Sequence, residues 1–143
     1  MTIAGMSATG YAAVRDIVPT HMSMYQVHSK GDSVMMDILS NHSAVAPVVD
    51  EDGHLLGFIG ESEILNALHV GTDISQVNVE DIMTEDRTST VTEMTPISEV
   101  VTLFQEDELQ IIPITRDGCV IGSLTRHDLI RALTGAGLGV ENK

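Results

Sequence analysis

The stretch Gly122-Ser123-Leu124-Thr125-Arg126-His127-Asp128 lies between a short apolar run and a helical pattern. The preceding run, Cys119-Val120-Ile121, predicts a strand, and the apolar residues from Leu129 to Leu133, at spacings of three and four, predict a helix. Thr125 and Asp128 therefore fall where a strand passes into the first turn of a helix. That turn exposes backbone N–H groups and the positive end of the helix dipole, which suit a phosphate.

The same residues also fit a purely structural role. Thr125-x-x-Asp128 is a capping-box pattern with Thr125 as N-cap, and the local pattern alone favours this interpretation. A carboxylate one turn into the helix can instead accept hydrogen bonds from two neighbouring sugar hydroxyls. The choice between a helix cap and a ligand site depends on the rest of the chain.

The composition allows a substantial core and excludes several partners. The 143 residues suffice for one compact domain or two very small ones, and 43% are hydrophobic, with no apolar run as long as a membrane span. The single cysteine excludes an internal disulfide and a cysteine-based zinc site, so a cytoplasmic protein is expected. The net charge of −14 argues against nucleic-acid and membrane-surface partners. Arg116, Arg126 and Arg131 still leave room for an anionic ligand near the quoted stretch.

The chain contains an internal repeat with an offset of 65 residues. Three segments recur at this offset: Val14–Val18 as Val79–Met83, Asp52–Gly57 as Asp117–Gly122, and Ile64–Leu68 as Leu129–Leu133. The middle slips by one residue, so that Pro47 matches Pro113, and the extra residue lies in a hairpin turn at Asp50–Gly53.

Each unit has the same predicted elements. It opens with a short helical turn and an extended stretch (Tyr25–Val27 or Ser89–Val91), and an amphipathic helix follows. Asp32 is the expected N-cap of the first such helix, and Thr95, followed by Pro96 at the first helical position, that of the second. The expected apolar stripes are Val34, Met35, Ile38 and Leu39 in the first copy, and Ile97, Val100, Val101 and Phe104 in the second.

Two strands joined by an Asp-Gly hairpin turn complete each unit before its last helix. The strands are expected at Ala46–Val49 and Leu55–Ile59 in the first copy, and at Ile111–Thr115 and Cys119–Ile121 in the second. A proline inside a strand indicates an edge or a strand start, and the free backbone groups of such an edge can pair with a flat heterocycle.

The repeat also predicts the domain organisation. An N-terminal segment (1–13) precedes the first repeat (14–68), a linker (69–78) leads to the second repeat (79–133), and a flexible tail (134–143) ends the chain. A unit this small buries too little surface to be stable alone. Two units in tandem are therefore expected to pack strand face to strand face with pseudo-twofold symmetry.

This order of elements resembles a tandem pair of cystathionine-β-synthase (CBS) domains, the Bateman module. The matching features include the opening Asp81-Ile82-Met83-Thr84, the apolar-Pro-apolar strand, the Asp-Gly hairpin and the glycine before the last helix, and they cover about residues 14 to 133. The resemblance implies an α/β fold of two βαββα repeats packed sheet to sheet. It also implies a homodimeric regulatory or sensor protein that acts on an unidentified partner.

The resemblance further implies an adenosyl ligand (AMP, ADP, ATP, NAD, S-adenosylmethionine or cyclic di-AMP), with Mg²⁺ possible beside a nucleotide and no required cofactor. The second copy fits the nucleotide-binding pattern Gly-apolar-apolar-(Ser/Thr)-x-x-(Asp/Asn), with Ser123 at a usually apolar position. Carried over, Asp128 holds the ribose hydroxyls, and Thr125 the ribose or a phosphate. The expected base contacts are Ile111, Ile112 and Pro113, with Thr90 and Val91 nearby, and the expected phosphate contacts are Arg126 and His127.

The first copy departs from this pattern. Gly60 stands where Ser or Thr belongs, and Glu63 replaces Asp. Glu61 and Glu63 also place negative charge where a phosphate would lie, and like charges repel. We therefore expect a weaker second site at Val48, Gly60 and Glu63, or one for a less charged ligand.

Other chemistries find little support in the residue spacing. The six histidines fall in separate segments, without a His-x-x-x-His pair, so no metal site is predicted. Neither a catalytic triad nor a carboxylate pair can be argued, so the chain is predicted not to be an enzyme, a nucleotide hydrolase being the weakest hypothesis. The alternative to a nucleotide sensor is a ligand-free dimerisation or protein-interaction module.

Overall fold

The computed structural model describes residues 13–17, 19, 22–41, 45–87, 90–107 and 109–134. Within these residues the fold is mixed α/β, with four helices and two small sheets, which confirms the predicted class. The helices are α1 (Gly31–Asn41), α2 (Glu61–His69), α3 (Ile97–Asp107) and α4 (Arg126–Thr134). The strands are β1 (Tyr25–Gln26), β2 (Val45–Val49), β3 (Leu55–Gly60), β4 (Thr84–Glu85), β5 (Val91–Thr92), β6 (Ile111–Arg116) and β7 (Cys119–Thr125).

Short 3-10 turns at Val14–Asp16 and Val79–Asp81 occupy the predicted opening positions of the repeats. Several predicted features lie outside the described residues. These are the N-terminal segment up to residue 12, Val18, His21, His42, Ser89 and the tail from residue 135.

The first three strands of the first sheet and the three strands of the second sheet follow the same order. The first has the strand order β1-β2-β3-β4, and the second β5-β6-β7, with β1–β2 and β5–β6 parallel and β2–β3 antiparallel. Pro47 and Pro113 therefore lie in interior strands, and the prediction of an edge or starting strand is wrong. The sheets tolerate both prolines because the ladder with β1 starts at Val48 and the ladder with β5 at Ile114, each one residue after the proline.

Helix α1 corrects two expectations. It begins at Gly31, so Asp32 lies inside the first turn and is not the N-cap, although its charge there still complements the helix dipole. Val34 is buried, but Leu39 is 67% exposed, so its place in the apolar stripe is wrong. Five residues of helix turn Leu39 by about 140° from Val34, which takes it off the core face.

Helix α3 begins one residue later than predicted. The Pro96 carbonyl accepts hydrogen bonds from the N–H groups of Glu99 and Val100. Pro96 is therefore the last residue before the helix and not the first helical residue. Thr95 is correspondingly not the N-cap. Its hydroxyl oxygen instead accepts a hydrogen bond from the Thr92 N–H at 3.0 Å, which stabilises the turn before the helix.

The chain forms two compact units, each with its own apolar core. The first-repeat unit comprises Ser23–Ser89 and Gly118–Val120, and the second-repeat unit comprises Met1–Met22, Thr90–Asp117 and Ile121–Lys143. The core of the first-repeat unit contains Val27, Val34, Val48, Ile59, Ile64 and Val79. The core of the second-repeat unit contains Val14, Ile17, Val91, Ile97, Val100, Phe104, Ile112, Ile114, Leu124, Leu129 and Ala132.

The 3-10 turn that opens each sequence repeat packs with the elements of the other repeat. Val14 lies in the core of the second-repeat unit, and its N–H donates to the Thr95 carbonyl at 2.9 Å. Val79 lies in the core of the first-repeat unit, and its N–H donates to the Ser29 carbonyl at 2.7 Å. The packing units are thus offset from the periodicity of the sequence.

The hairpin turns position the strands that lead to the last helices. Asp117 and Gly118 both have positive φ angles (54° and 84°), as a tight two-residue hairpin turn requires, and Gly53 has a φ of 91° in the longer first turn. β7 extends to Thr125, four residues beyond its predicted end at Ile121. The strand therefore carries the chain directly to the start of α4.

Candidate functional site

The second strand-to-helix turn joins β7 to α4 without an intervening loop, since β7 ends at Thr125 and α4 begins at Arg126. Asp128 Oδ2 accepts hydrogen bonds from the Thr125 N–H at 3.0 Å and from the Thr125 hydroxyl at 3.2 Å. The Thr125 oxygen in turn accepts a hydrogen bond from the Asp128 N–H at 3.2 Å. The predicted capping box is therefore confirmed as a structural feature.

Asp128 is only 1% exposed, which is unusual for a charged side chain. Arg131 Nη1 lies 3.6 Å from Asp128 Oδ1, one helical turn further on. Burial of a carboxylate is tolerated when hydrogen bonds and an opposite charge compensate it. The turn thus combines a carboxylate that accepts N–H and O–H donors, the N–H groups of a helix start and a guanidinium.

The other predicted site residues of the second copy lie in the same unit, on β5, β6 and the segment before β5. Thr90 is half-buried, and Val91 pairs with Ile114. Ile112 packs in the core, and successive strand residues point to opposite faces. Ile111 and Pro113 therefore lie on the face away from this core, where both side chains are also buried.

The two expected phosphate contacts differ in their surroundings. The Arg126 guanidinium lies over the Phe104 ring, 5.5 Å from its centroid, and donates to the Phe104 carbonyl at 3.4 Å. His127 is exposed in the first turn of α4. Arg126 is exposed, and its guanidinium has further N–H donors beside the one bonded to Phe104.

The first repeat builds its turn with different contacts. The Gly60 N–H donates to Glu63 Oε1 at 2.8 Å, and the Thr84 hydroxyl donates to Glu63 Oε2 at 2.7 Å. Thr84 belongs to β4, which pairs antiparallel with β3. Val48, the third predicted residue of this site, is fully buried in the core. Glu63 thus has a hydroxyl partner within its own chain.

Two residues of these turns were not predicted to contribute. Thr84 lies 21 residues after Glu63, and no local pattern in the sequence connects them. Ser123 is 0% exposed, and its hydroxyl has no hydrogen-bond partner among the described residues. The signal for Ser123 was present in the sequence as a polar residue at a usually apolar position of the pattern.

One group of potential metal ligands occurs within the described part of the chain, at Asp50, Asp52 and His54, whose ligand atoms lie within 4.8 Å of one another. Asp50 Oδ1 accepts hydrogen bonds from the N–H groups of Asp52 and His54, both at 2.9 Å. The His54 N–H is the main reason that the pKa of Asp50 lies below its usual value. These hydrogen bonds stabilise the first hairpin turn and explain why the three residues lie close together.

The protein thus consists of two similar α/β repeats, and in each of them a strand runs directly into the last helix. The CBS domain family matches residues 33–70 and 79–135, and the chain belongs to this family. The predicted tandem CBS pair is therefore confirmed.

Solved CBS-domain structures share the fold. CBSX2 in complex with AMP superimposes with a TM-score of 0.69, at 23% identity over 85% of this chain and 95% of that chain. The CBS domain pair of protein MJ0100, in complex with 5′-methylthioadenosine and S-adenosyl-L-methionine, gives a TM-score of 0.70 at 24% identity, over 87% and 98% of the two chains. At these identities the likeness concerns the fold.

Curated relatives match over part of their own length. The chain is 26% identical over 120 residues to the A-adding tRNA nucleotidyltransferase of Aquifex aeolicus, which covers 84% of this chain and 14% of that protein. It is 25% identical over 99 residues to the arabinose 5-phosphate isomerase KdsD of Pseudomonas aeruginosa, covering 68% and 30%. The chain thus spans less than a third of either relative. None of the helices in the described residues has the length and apolar character needed to cross a membrane.

Proposed function

We propose that this chain is a regulatory module that binds an adenine nucleotide, or a related adenosyl ligand, at the strand-to-helix turn of the second repeat. The observation that carries the proposal is the buried Asp128 carboxylate at the start of α4, which already accepts one N–H and one O–H hydrogen bond. Ribose hydroxyls would be held by the same chemistry. The AMP complex of CBSX2 and the adenosyl complexes of MJ0100 support this choice of ligand class.

The proposed roles follow the position of each residue. Asp128 holds the ribose hydroxyls and Thr125 the ribose or a phosphate, while the first N–H groups of α4 favour an anion. The exposed side chains of Arg126 and His127 contact the phosphates. The proposed base contacts are the side chains of Ile111 and Pro113 and the backbone of Ile112, with Thr90 and Val91 beside them.

The first repeat is proposed to bind more weakly. Glu63 is already held by Thr84, and Glu61 is exposed at the start of α2. Both carboxylates would repel a phosphate at this turn. The proposed role is regulatory, through a ligand-dependent shift between conformations or assemblies, and involves no reaction by this chain.

The test is a thermal-shift screen with AMP, ADP, ATP, NAD, S-adenosylmethionine and cyclic di-AMP, with and without Mg²⁺, followed by titration calorimetry. A ligand at a hundred times its Kd adds roughly 2.7 kcal/mol to stability, which moves Tm by several degrees. Asp128→Ala removes charge-assisted hydrogen bonds and should weaken binding by about 1.5–3 kcal/mol, roughly ten- to 150-fold. Asp128→Asn, which preserves the size of the side chain, guards against an effect of misfolding.

Glu63→Ala is the matched control because Glu63 has the equivalent position in the first repeat. It should leave the affinity of the main site unchanged. Equal binding by wild type and both Asp128 variants would refute the assignment of the site, and loss of binding in Glu63→Ala alone would move the site to the first repeat.

A second candidate function is a module that pairs with a second copy of itself. Four apolar side chains of α1 and α2 are 47–69% exposed: Met36, Leu39, Leu65 and Leu68. The repeat aligns Met36 and Leu39 with the polar residues Thr102 and Gln105 of α3, so the α1 part of this apolar face is specific to the first-repeat unit, whereas Leu65 aligns with Ile130, which is 61% exposed. A twofold axis would place the face against itself. Light scattering on the Leu65→Glu variant should then show monomers, and an unchanged mass would refute this contact.

A further inference from the structure

The Ser123 hydroxyl is a buried polar group that the capping contacts do not explain. Ser123 is 0% exposed on β7, and its oxygen has no hydrogen-bond partner among the residues that the structure describes. A buried hydroxyl without a partner destabilises a fold, so its presence calls for a compensating role. Ser123 lies two residues before Thr125, on the strand that leads into the proposed site.

The position of Ser123 in the sheet indicates what this role is. Ile112 and Leu124 pack in the core of the second-repeat unit. Because successive strand residues point to opposite faces, Pro113 and Ser123 lie on the face away from this core. In the first sheet Pro47 stands opposite Phe58, and the repeat relates this pair to Pro113 and Ser123. The hydroxyl therefore shares a sheet face with Ile111 and Pro113, the proposed base contacts.

The distance along the strand fits the two ends of a nucleoside. Residues two apart in a strand are separated by about 6.6 Å, and Thr125 begins the capping box that contains Asp128. A base that extends back along β7 from a ribose at Asp128 would reach Ser123. A hydroxyl both donates and accepts, and the edge of adenine offers ring-nitrogen acceptors and an amino donor.

The first repeat lacks this group. Its equivalent of Ser123 is Phe58, which packs against the apolar cluster of Val49, Leu55 and Val120. A phenyl ring satisfies that apolar environment without a hydrogen bond, so the buried hydroxyl is a feature of the second repeat alone. It coincides with the repeat whose capping box fits the nucleotide-binding pattern.

We propose that Ser123 is a specificity-determining residue that hydrogen-bonds the adenine base of the ligand. The inference rests on the proposed function and extends it, because it assigns recognition of the base to a residue outside the capping box. On this proposal, the Ser123 hydroxyl destabilises the free protein and strengthens the binding of the ligand. Stability and affinity should therefore change in opposite directions when it is removed.

The experiment compares Ser123→Ala with wild type, using AMP, ATP and S-adenosylmethionine as probes. Without ligand, Ser123→Ala should raise Tm by a few degrees, because an unpaired hydroxyl is lost from the interior. In titration calorimetry it should weaken each probe that the wild type binds by about three- to tenfold, the value of one hydrogen bond.

Thr115→Val is the matched control, since the Thr115 hydroxyl lies on the same sheet but donates to the Val91 carbonyl at 3.3 Å. It should lower Tm and leave affinity unchanged. If wild type binds a probe and Ser123→Ala binds it equally well, or if Ser123→Ala lowers the Tm of the free protein, this inference is overturned while the proposed function stands. If wild type binds neither these probes nor ADP, NAD or cyclic di-AMP, both are overturned.

Discussion

The two strand-to-helix turns both place an acidic side chain in the first turn of the helix but differ in how it is partnered. In the second repeat Asp128 exchanges hydrogen bonds with Thr125 and is 1% exposed. In the first repeat Glu63 reaches the Gly60 N–H with one oxygen and the Thr84 hydroxyl with the other. The longer side chain thus joins its helix start to a neighbouring strand, whereas the shorter one bonds Thr125 in its own turn and lies beside Arg131.

This difference shows how two copies of one unit acquire different roles. Gly60 has no hydroxyl to return a hydrogen bond to the Glu63 N–H, so the reciprocal cap of the second repeat is incomplete in the first. Thr84 compensates by donating to Glu63 from β4. The contact stabilises the first turn by joining Glu63 to a hydroxyl of a neighbouring strand.

The largest effect is expected where β4 meets β3. A Cβ atom at Gly57 would overlap the Thr84 carbonyl oxygen, which is backbone and cannot yield cheaply. At the equivalent Gly122 the nearest atom is the Met22 sulfur at 3.0 Å, the end of a flexible side chain that is 55% exposed. Gly57→Ala should therefore lower the free energy of unfolding by about 2–3 kcal/mol, and Gly122→Ala by about 0.5 kcal/mol.

Urea unfolding followed by circular dichroism measures both variants, and each serves as the control for the other. Equal losses of stability in Gly57→Ala and Gly122→Ala would contradict the interpretation that backbone atoms lie closer to Gly57 than to Gly122. A lower m-value for Gly57→Ala than for wild type would indicate that β4 has separated from the sheet.

A smaller effect isolates the hydroxyl of Thr84. Thr84→Val removes the donor to Glu63 and should cost about 1–1.5 kcal/mol, because the acceptor is charged and half-buried. Thr102→Val is the control, since its hydroxyl bonds the Ser98 carbonyl on an exposed helix face and should cost a few tenths of a kcal/mol.

A double-mutant cycle with Glu63→Ala tests the pairing directly. In that background Thr84→Val should cost almost nothing, because its partner is already gone. An undiminished cost would mean that Thr84 acts through some other contact.

Contacts between close neighbours in the sequence were predictable. Thr125 and Asp128 are three residues apart, so their capping box follows from spacing alone, and the Asp-Gly pairs identify both hairpins. The N-caps were misplaced by two residues in α1 and by one residue in α3, because an oxygen-bearing side chain near a helix start can form its hydrogen bond elsewhere. Thr95, for example, bonds Thr92 in the turn before α3.

Contacts distant in sequence were not predictable from the repeat. The Val14 N–H bonds the Thr95 carbonyl, and the Val79 N–H bonds the Ser29 carbonyl. Both copies offer the same partners to either opening turn, so periodicity cannot decide which copy each turn joins. The pairing of Thr84 with Glu63 depends on this choice, and the buried state of Ser123 depends on the packing that covers it.

The smallest expected effect concerns one carboxylate beside the hairpin of each repeat. The pKa of each of these groups lies below its usual value. In the second repeat Arg116, paired with Glu93 at 2.8 Å, lowers the pKa of Glu93 from its ordinary 4.5. At the equivalent hairpin of the first repeat the His54 N–H lowers the pKa of Asp50 from 3.8. A carboxylate with a depressed pKa in the folded state stabilises the fold above its ordinary pKa, and this contribution is lost as the pH falls through the folded value.

Glu93→Gln and Asp50→Ala should therefore each be slightly less stable than wild type at pH 7, and the difference should shrink as the pH falls below the ordinary pKa values and vanish below the folded-state values. Salt distinguishes the two hairpins, because an exposed ion pair is screened and hydrogen bonds to backbone N–H groups are screened less. Adding 1 M NaCl at pH 7 should remove most of the effect of Glu93→Gln and little of that of Asp50→Ala. Thermal melts between pH 3 and pH 7 measure both, and a salt-insensitive Glu93 effect would show that Arg116 stabilises the second hairpin by packing rather than by charge.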